Sequence, residues 1–287
     1  MDLREDGVTV VPGILDRAML ERARARAAAL LAALPGEHRA ERRATGSLVH
    51  IAADPFFAEL IAWRPALDAL DRLGLPGARF SSGYLISKPP GGPPLFWHQD
   101  WWGWDEPASY RAEPLQVFLM YYLADTDAAS GCLRVVPGSH RRRHALHAIL
   151  PDAHEGELSR AADLRHPAFQ AAAGEAAVPV RAGDLVVGDA RLLHAAHANN
   201  GTAERPLITL WYHPRFAGQP PAIRARVARV LRREGVDTDP DGAATTPFPE
   251  SWPAAARERI APLLATDDGT AAPQPWNRAP DPARLAP

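Results

Sequence analysis

Apolar residues recur along the chain in two rhythms. Up to about residue 73 they return three and four positions apart; from residue 79 they come in short runs broken by glycine and proline. Residues 6–35 read as a short extended entry followed by a helix. Asp16 is placed to cap that helix, and Met19, Leu20, Ala27, Leu30, Leu31 and Leu34 give it an apolar stripe. Phe57, Leu60, Ile61, Leu67, Leu70 and Leu73 predict a second helix over 54–73, kinked or split at Pro65. Segments 79–88, 94–100, 115–123, 132–136, 178–181, 184–189 and 206–214 are rich in β-branched and aromatic residues and predict strands. So many short strands between turn signals predict a sandwich or jelly roll. The polar, His- and Arg-rich stretch 139–177 reads as an insertion with some helix, 220–234 as a basic amphipathic helix, and 268–287 as irregular coil. The pattern carries no internal repeat. One domain over 1–287 is expected: N-terminal helices at about 16–73, a β core at about 79–216, and C-terminal helices with a Pro/Ala-rich tail at about 217–287.

Composition narrows the function classes. The 287 residues are 46% hydrophobic, enough for a packed core. With 32 basic against 34 acidic residues, no basic excess exists to coat nucleic acid. No apolar run reaches the roughly 18 residues of a membrane span. The N-terminal segment lacks the hydrophobic centre of a secretory signal, and the one cysteine, Cys132, cannot form an intrachain disulfide, so a cytoplasmic setting is expected. There are 31 arginines and a single lysine, Lys88.

The candidate chemistry starts at Phe96-Trp97-His98-Gln99-Asp100. Alternate residues of a strand share a face, so His98 and Asp100 would project together as two ligands of one metal. A histidine two residues from a carboxylate is two thirds of the 2-His-1-carboxylate set of non-haem Fe(II) oxygenases. His194, after the apolar strand 184–189, supplies the second histidine; His197 is the competitor, read as a loop residue. Eleven residues beyond His194 stands Arg205, whose planar fork suits a carboxylate. Thr209 shares strand parity with it and adds a hydroxyl.

The blocks Gly7–Leu15, Ile86-Ser87-Lys88-Pro89-Pro90, His98-Gln99-Asp100, Gly131–His140, and His194 followed by Asn199 and Arg205 stand in an order and at separations that resemble the phytanoyl-CoA dioxygenase family of Fe(II)/2-oxoglutarate oxygenases. The resemblance runs from about Gly7 to Arg215. It implies a mainly β protein with flanking helices around a double-stranded β-helix, the cupin-like jelly roll. It implies Fe(II) on His98, Asp100 and His194, 2-oxoglutarate on Arg205 with Lys88 nearby, and O2 as oxidant. Met120 falls where some relatives carry tryptophan.

The expected activity is hydroxylation of an unactivated C–H bond in a small, apolar or cyclic metabolite, with secondary-metabolite tailoring favoured over lipid breakdown. The chemistry is centred on iron, with no separate acid or base residue. Trp102, Gln116, Met120 and Trp211 are the candidate substrate contacts. The run Trp97, Trp101, Trp102, Trp104 reads equally as core packing or as a wall over the iron. His140, His144 and His147 look like a metal cluster by spacing, but among Arg141–Arg143 they read rather as a solvated or anion-binding loop; His213 reads as a strand-end histidine. Asp100 makes halogenation improbable, since related halogenases replace that carboxylate with a small residue. Desaturation, epimerisation and cyclisation stay open, as do a jelly-roll metalloenzyme that does not use 2-oxoglutarate and a non-catalytic binding protein.

Overall fold

A computed structural model describes residues 1–150, 156–232 and 252–287. Ten strands form two antiparallel sheets: β1 (Val8–Val11), β2 (Val49–His50), β3 (Arg79–Lys88), β4 (Leu95–His98), β5 (Val117–Tyr122), β6 (Leu133–Val135), β7 (Ala176–Val178), β8 (Leu185–Asp189), β9 (His194–Ala196) and β10 (Arg205–His213). The larger sheet has the order β1-β8-β5-β10-β3-β2, the smaller β4-β9-β6-β7. With the flanking helices this is the jelly roll that the pattern of short strands predicts.

Strand β5, Val-Phe-Leu-Met-Tyr-Tyr, shows why the runs are apolar without alternation. Val117, Leu119 and Tyr121 face the helices, whereas Phe118, Met120 and Tyr122 point between the sheets and meet Leu133 and Val135 of the smaller one. Both faces are covered, so every residue of the strand is buried.

Helix α1 (Arg17–Ala32) is capped as expected, Asp16 accepting from the Met19 N–H at 2.8 Å. Its fully buried stripe is Met19, Ala23, Ala27 and Leu31; Leu20, Leu30 and Leu34 pack at the margin. A short α2 (Gly36–Glu41) follows. The helix expected over 54–73 is split into α3 (Phe57–Ile61) and α4 (Arg64–Arg72), with Pro65 in the first turn of the second piece, where a missing N–H costs nothing. The 139–177 insertion joins β6 to β7 and carries a short α5 (Gly156–Ser159) and two single 3-10 turns. Helix α6 (Pro221–Arg232) matches the basic amphipathic segment, whose last two residues lie outside the described residues, and α7 (Ala254–Ala265) packs beside it. The irregular tail is anchored: the Asn277 N–H donates to Trp102 O at 2.7 Å and Arg143 N–H to Ala286 O at 2.7 Å.

The strand expected over 178–181 is displaced to Ala176–Val178, with Val180 left in an isolated bridge to Thr126, and two strands escaped the pattern. β2 has only two residues, and His194–Ala196 follows a turn whose apolar residues mask the strand's start.

Candidate functional site

His98 ends β4 and His194 opens β9, and the antiparallel register sets them directly opposite one another. Their ring centroids are 4.1 Å apart. Each Nδ1 lies 3.0 Å from the carbonyl oxygen two residues earlier, Phe96 O for His98 and Leu192 O for His194. A carbonyl only accepts, so each Nδ1 carries a proton, which leaves the Nε2 of each ring as the atom able to offer a lone pair to a metal. Asp100 Oδ1 is 3.6 Å from His98 Nε2, and Oδ2 is 3.8 Å from His194 Nε2. These three ligand atoms lie within 4.8 Å of one another, the one such group of three among the described residues. Two imidazole lone pairs and a carboxylate fit a divalent cation, because no hydrogen on these rings lies between them.

The surroundings fix this geometry. The Asp100 and Trp101 N–H groups both donate to Ala190 O, at 2.9 and 2.8 Å, and the Gln99 amide donates to Arg191 O. The Leu193 N–H donates to Ser139 Oγ at 2.9 Å, so the Pro137-Gly138-Ser139 turn steadies the approach to His194. Phe118 packs its ring 5.0 Å from that of His194. Gly188 opens the space: a Cβ there would lie 2.0 Å from Phe118 Cζ. Trp211 Nε1 donates to Asp100 Oδ2 at 2.8 Å.

One cavity joins this cluster to the other predicted residues. Arg205, Leu207, Thr209 and Trp211 all line it from alternate positions of β10, as parity requires, with Ile86 and Lys88 of β3 and Met120 and Tyr122 of β5. Arg205 is only 4% exposed, its Nε has no hydrogen-bond partner, and no described carboxylate pairs with it. Burial pulls its pKa down, yet a guanidinium does not shed its proton. The Thr209 hydroxyl is fully buried and likewise unpartnered. A buried, unpaired cation fits the carboxylate of an acid ligand, and the hydroxyl lines the same cavity four residues further along the strand face. Burial raises the Tyr122 phenol to about 12, with Arg205 opposing, so it stays neutral.

Lys88 lies across from Arg205 in the β3–β10 register and is fully buried. Its Nζ donates to Ala44 O at 2.7 Å and to Pro93 O. Burial, and then Arg205, push its pKa well below the usual lysine value. Two of its three N–H groups thus hold the backbone around the cavity. Asn199 closes the same region, donating to Lys88 O and Ala203 O at 2.9 Å each.

Two candidate substrate contacts are not brought to the cavity. Trp102 stacks on Trp101 at 4.9 Å and on Trp276 at 5.8 Å, in a cluster with Phe216, Ile223 and Leu263. Trp101, Trp102 and Trp104 are core here because α6, α7 and the tail cover them, whereas Trp97 packs apart from them with Val136, Leu146 and Leu193. Gln116 precedes β5 and lies 3.5 Å from His213 Nε2, away from the lining. Met120 and Trp211 do line the cavity. His144 and His147 form a helix cap with each other's backbone, His140 contacts Arg4 O, and Arg141 and Arg143 donate to backbone carbonyls. His197 stands outside the cluster of three.

Sequence reasoning missed Arg42, Thr45 and Leu48, which reach the cavity from the segment after α2, and Ser159 from α5. No local pattern marks them, since only the tertiary path brings residues 42–48 over the end of β3.

A jelly roll with such a cluster and a buried, unpaired arginine defines the class of non-haem iron oxygenases that use a 2-oxo acid. The family model for phytanoyl-CoA dioxygenase (PhyH) matches residues 3–207, and the chain belongs to that family. Among solved structures, it is similar to the non-heme alpha ketoglutarate dependent epimerase SnoN from nogalamycin biosynthesis (26% identity, TM-score 0.53, 74% of this chain and 80% of that one). It is also similar to the carbocyclase SnoK from the same biosynthesis (25% identity, TM-score 0.53, 74% and 81%). EctD from S. alaskensis, solved with 2-oxoglutarate and 5-hydroxyectoine, shares the fold (22% identity, TM-score 0.53, 74% and 73%). No curated protein matches the sequence. The protein is a 2-oxoglutarate-dependent non-haem iron oxygenase, with iron as cofactor and 2-oxoglutarate and O2 as cosubstrates. Among the described residues no helix is long and apolar enough to cross a membrane.

Proposed function

We propose that His98, Asp100 and His194 hold Fe(II), that Arg205 and Thr209 bind the distal carboxylate of 2-oxoglutarate, and that the enzyme hydroxylates an unactivated C–H bond of a small metabolite. One observation carries the reading: two Nε2 lone pairs and the Asp100 carboxylate converge in a cavity whose other end holds an unpaired guanidinium. Iron with bound 2-oxoglutarate supplies the means of turning O2 on such a bond. The chain's own residues place and shield. The Trp211 indole holds the Asp100 carboxylate in its rotamer. Arg205 and Thr209 fix the cosubstrate at its far end. Leu95, Phe96, Met120 and Leu207 give an apolar wall that excludes water around the target carbon. No side chain is required as general acid or base. Lys88 serves the cosubstrate end by holding the backbone that encloses it.

A second outcome of the same chemistry has specific support. SnoN is an epimerase and SnoK a carbocyclase, both from nogalamycin biosynthesis and both about a quarter identical to this chain. Epimerisation or ring closure on a secondary metabolite differs from hydroxylation only in the fate of the substrate radical. The product mass separates them: hydroxylation adds one oxygen atom, ring closure removes two hydrogens, epimerisation changes nothing.

The test is succinate release from 2-oxoglutarate under air, with and without Fe(II), alongside anaerobic binding of Fe(II) by calorimetry. Wild type is expected to bind one iron and turn over only with it. His98→Ala and His194→Ala are each expected to lose both. Iron binding that survives both substitutions would overturn the ligand assignment.

A further inference from the structure

The cavity has a third cationic group that the iron and 2-oxoglutarate reading leaves unused. Arg42 is half-buried, lines the cavity, and has no hydrogen bond or ion pair from its guanidinium among the described residues. Its neighbour Arg39 shows the alternative, pairing with Glu204 at 2.7 Å. Among the described residues the only acid lining the cavity is Asp100. In the loaded enzyme the charges of Fe(II) and the 2-oxoglutarate dianion cancel, and those of Asp100 and Arg205 cancel. Lys88 is committed to two carbonyls. Arg42 is then the cationic group of the cavity left with neither a carboxylate nor a carbonyl partner among the described residues, and an anionic group beside it would gain from the pairing.

Arg42 is also held in place. Gly46 has φ +88°, and a Cβ there would lie 2.2 Å from Ser87 O, so only glycine lets the segment lie this close to β3. Ser47 Oγ accepts from the Ser87 N–H at 2.8 Å, and Ala44 is tied both to Lys88 Nζ and, through its N–H, to Ser159 O at 3.0 Å. These contacts fix the backbone that carries Arg42, and an arginine fork at the edge of an apolar cavity can recognise an anionic oxygen group on an otherwise apolar molecule.

We propose that Arg42 is the specificity-determining residue of this oxygenase and that its substrate is a mainly apolar molecule bearing one carboxylate or phosphate. The proposal rests on the iron and 2-oxoglutarate reading of the site. The test uses the full chain loaded with Mn(II) and 2-oxoglutarate, and matched probes: hexanoate against hexanamide, phenylacetate against phenylacetamide, and hexyl phosphate. Paramagnetic relaxation of the probe protons by Mn(II) reports binding beside the metal. At least one acid is expected to bind about ten-fold or more tightly than its amide, with the carboxylate and phosphate arms showing which group is preferred. Arg42→Gln removes that preference while leaving amide binding, and the affinities for Mn(II) and 2-oxoglutarate, within about two-fold. Arg42→Lys, which keeps the charge and loses the fork, falls between. Equal binding of every acid and amide by the wild type would overturn the proposal. So would a preference that survives Arg42→Gln, or a loss of 2-oxoglutarate affinity as large as that of the acids. Failure of the wild type to bind Mn(II) or 2-oxoglutarate at all is a separate result, and sinks the reading beneath it.

Discussion

Arg191 and Arg205 are both buried, at 1% and 4% exposure, and their surroundings are opposite. Arg191 forms a two-point ion pair with Asp189 (2.9 and 2.6 Å) and donates to the carbonyls of Ser109 and Arg111 at 2.8 and 2.7 Å. Its charge is balanced within the chain, and it bolts the 109–112 segment to the turn that leads to His194. Arg205 has no such acid. A buried charge without a partner costs several kcal/mol, and under the proposed reading the 2-oxoglutarate carboxylate would offset that cost. On that reading one arginine belongs to the fold, the other to the reaction.

That contrast breaks most sharply under matched substitutions. Arg191→Met leaves the Asp189 carboxylate buried and alone, and is expected to destabilise the metal-free protein by about 3–5 kcal/mol in urea unfolding. Arg205→Met removes an uncompensated charge, so stability is expected to hold or rise, while 2-oxoglutarate affinity falls by about 100-fold. If Arg205→Met destabilises as much as Arg191→Met, Arg205 is structural and its place in the site is lost.

A histidine sharpens the same point, because a buried base that can drop its proton avoids the problem Arg205 cannot. His213 is 1% exposed, its Nδ1 donates to Leu115 O, and burial pushes its pKa down to about 4. Unfolded, it titrates near 6.5. The unfolded chain therefore binds more protons between those values. Stability is full above about pH 6.5 and falls toward pH 4, by about 3 kcal/mol for this residue. His147, also pushed to about 4 by burial, adds a second contribution. His213→Asn is expected to halve the acid slope of unfolding free energy; an unchanged slope would place the proton elsewhere.

The residues that strand parity governs were legible in the sequence, and those that depend on the chain's path were not. Arg205, Leu207, Thr209 and Trp211 share a face because β10 is a continuous ladder, and one anchor therefore orients the rest. His98 and Asp100 do converge, but not by that rule: the strand expected over 94–100 ends at His98, and Asp100 is turned toward the cluster by the bonds that tie residues 100 and 101 to Ala190 O. His194 facing His98 is a matter of register between distant strands, which spacing to Arg205 hinted at but could not orient. The tryptophans show the limit. A run of four carries no information on which partner covers it, and here helices α6 and α7 take Trp101, Trp102 and Trp104 while Trp97 packs elsewhere. Arg42 was invisible because with 31 arginines no single one stands out; only the crossing of residues 42–48 over β3 selects it. Lys88, the one lysine, stood out by composition, and its ammonium turns out to grip two carbonyls.

Smaller effects are expected around the metal. Trp211→Phe keeps an aromatic ring, smaller by the pyrrole half of the indole, and deletes the N–H that donates to Asp100 Oδ2. The carboxylate gains rotational freedom, and metal affinity is expected to fall about ten-fold, read by calorimetry with Mn(II). Global stability should change little, since Trp211 is only half-buried and lines the cavity. Affinity unaltered by the loss would mean that Asp100 is oriented by its backbone alone, through the bonds to Ala190 O.

Thr209 repeats the Arg205 case with a neutral group. Its hydroxyl is fully buried and unpartnered, so the fold bears a desolvation cost that a cosubstrate carboxylate would offset. Thr209→Val is close to isosteric and removes only the polar atom. The metal-free protein is expected to gain about 1 kcal/mol in urea unfolding. The Michaelis constant for 2-oxoglutarate is expected to rise about three- to ten-fold, with kcat little changed, because the hydroxyl binds ground and transition states alike. The two signs must appear together. A gain in stability without a change in the Michaelis constant would mean the hydroxyl faces no ligand. A loss in both would mean it has a partner inside the fold, and Thr209 would then belong with Arg191.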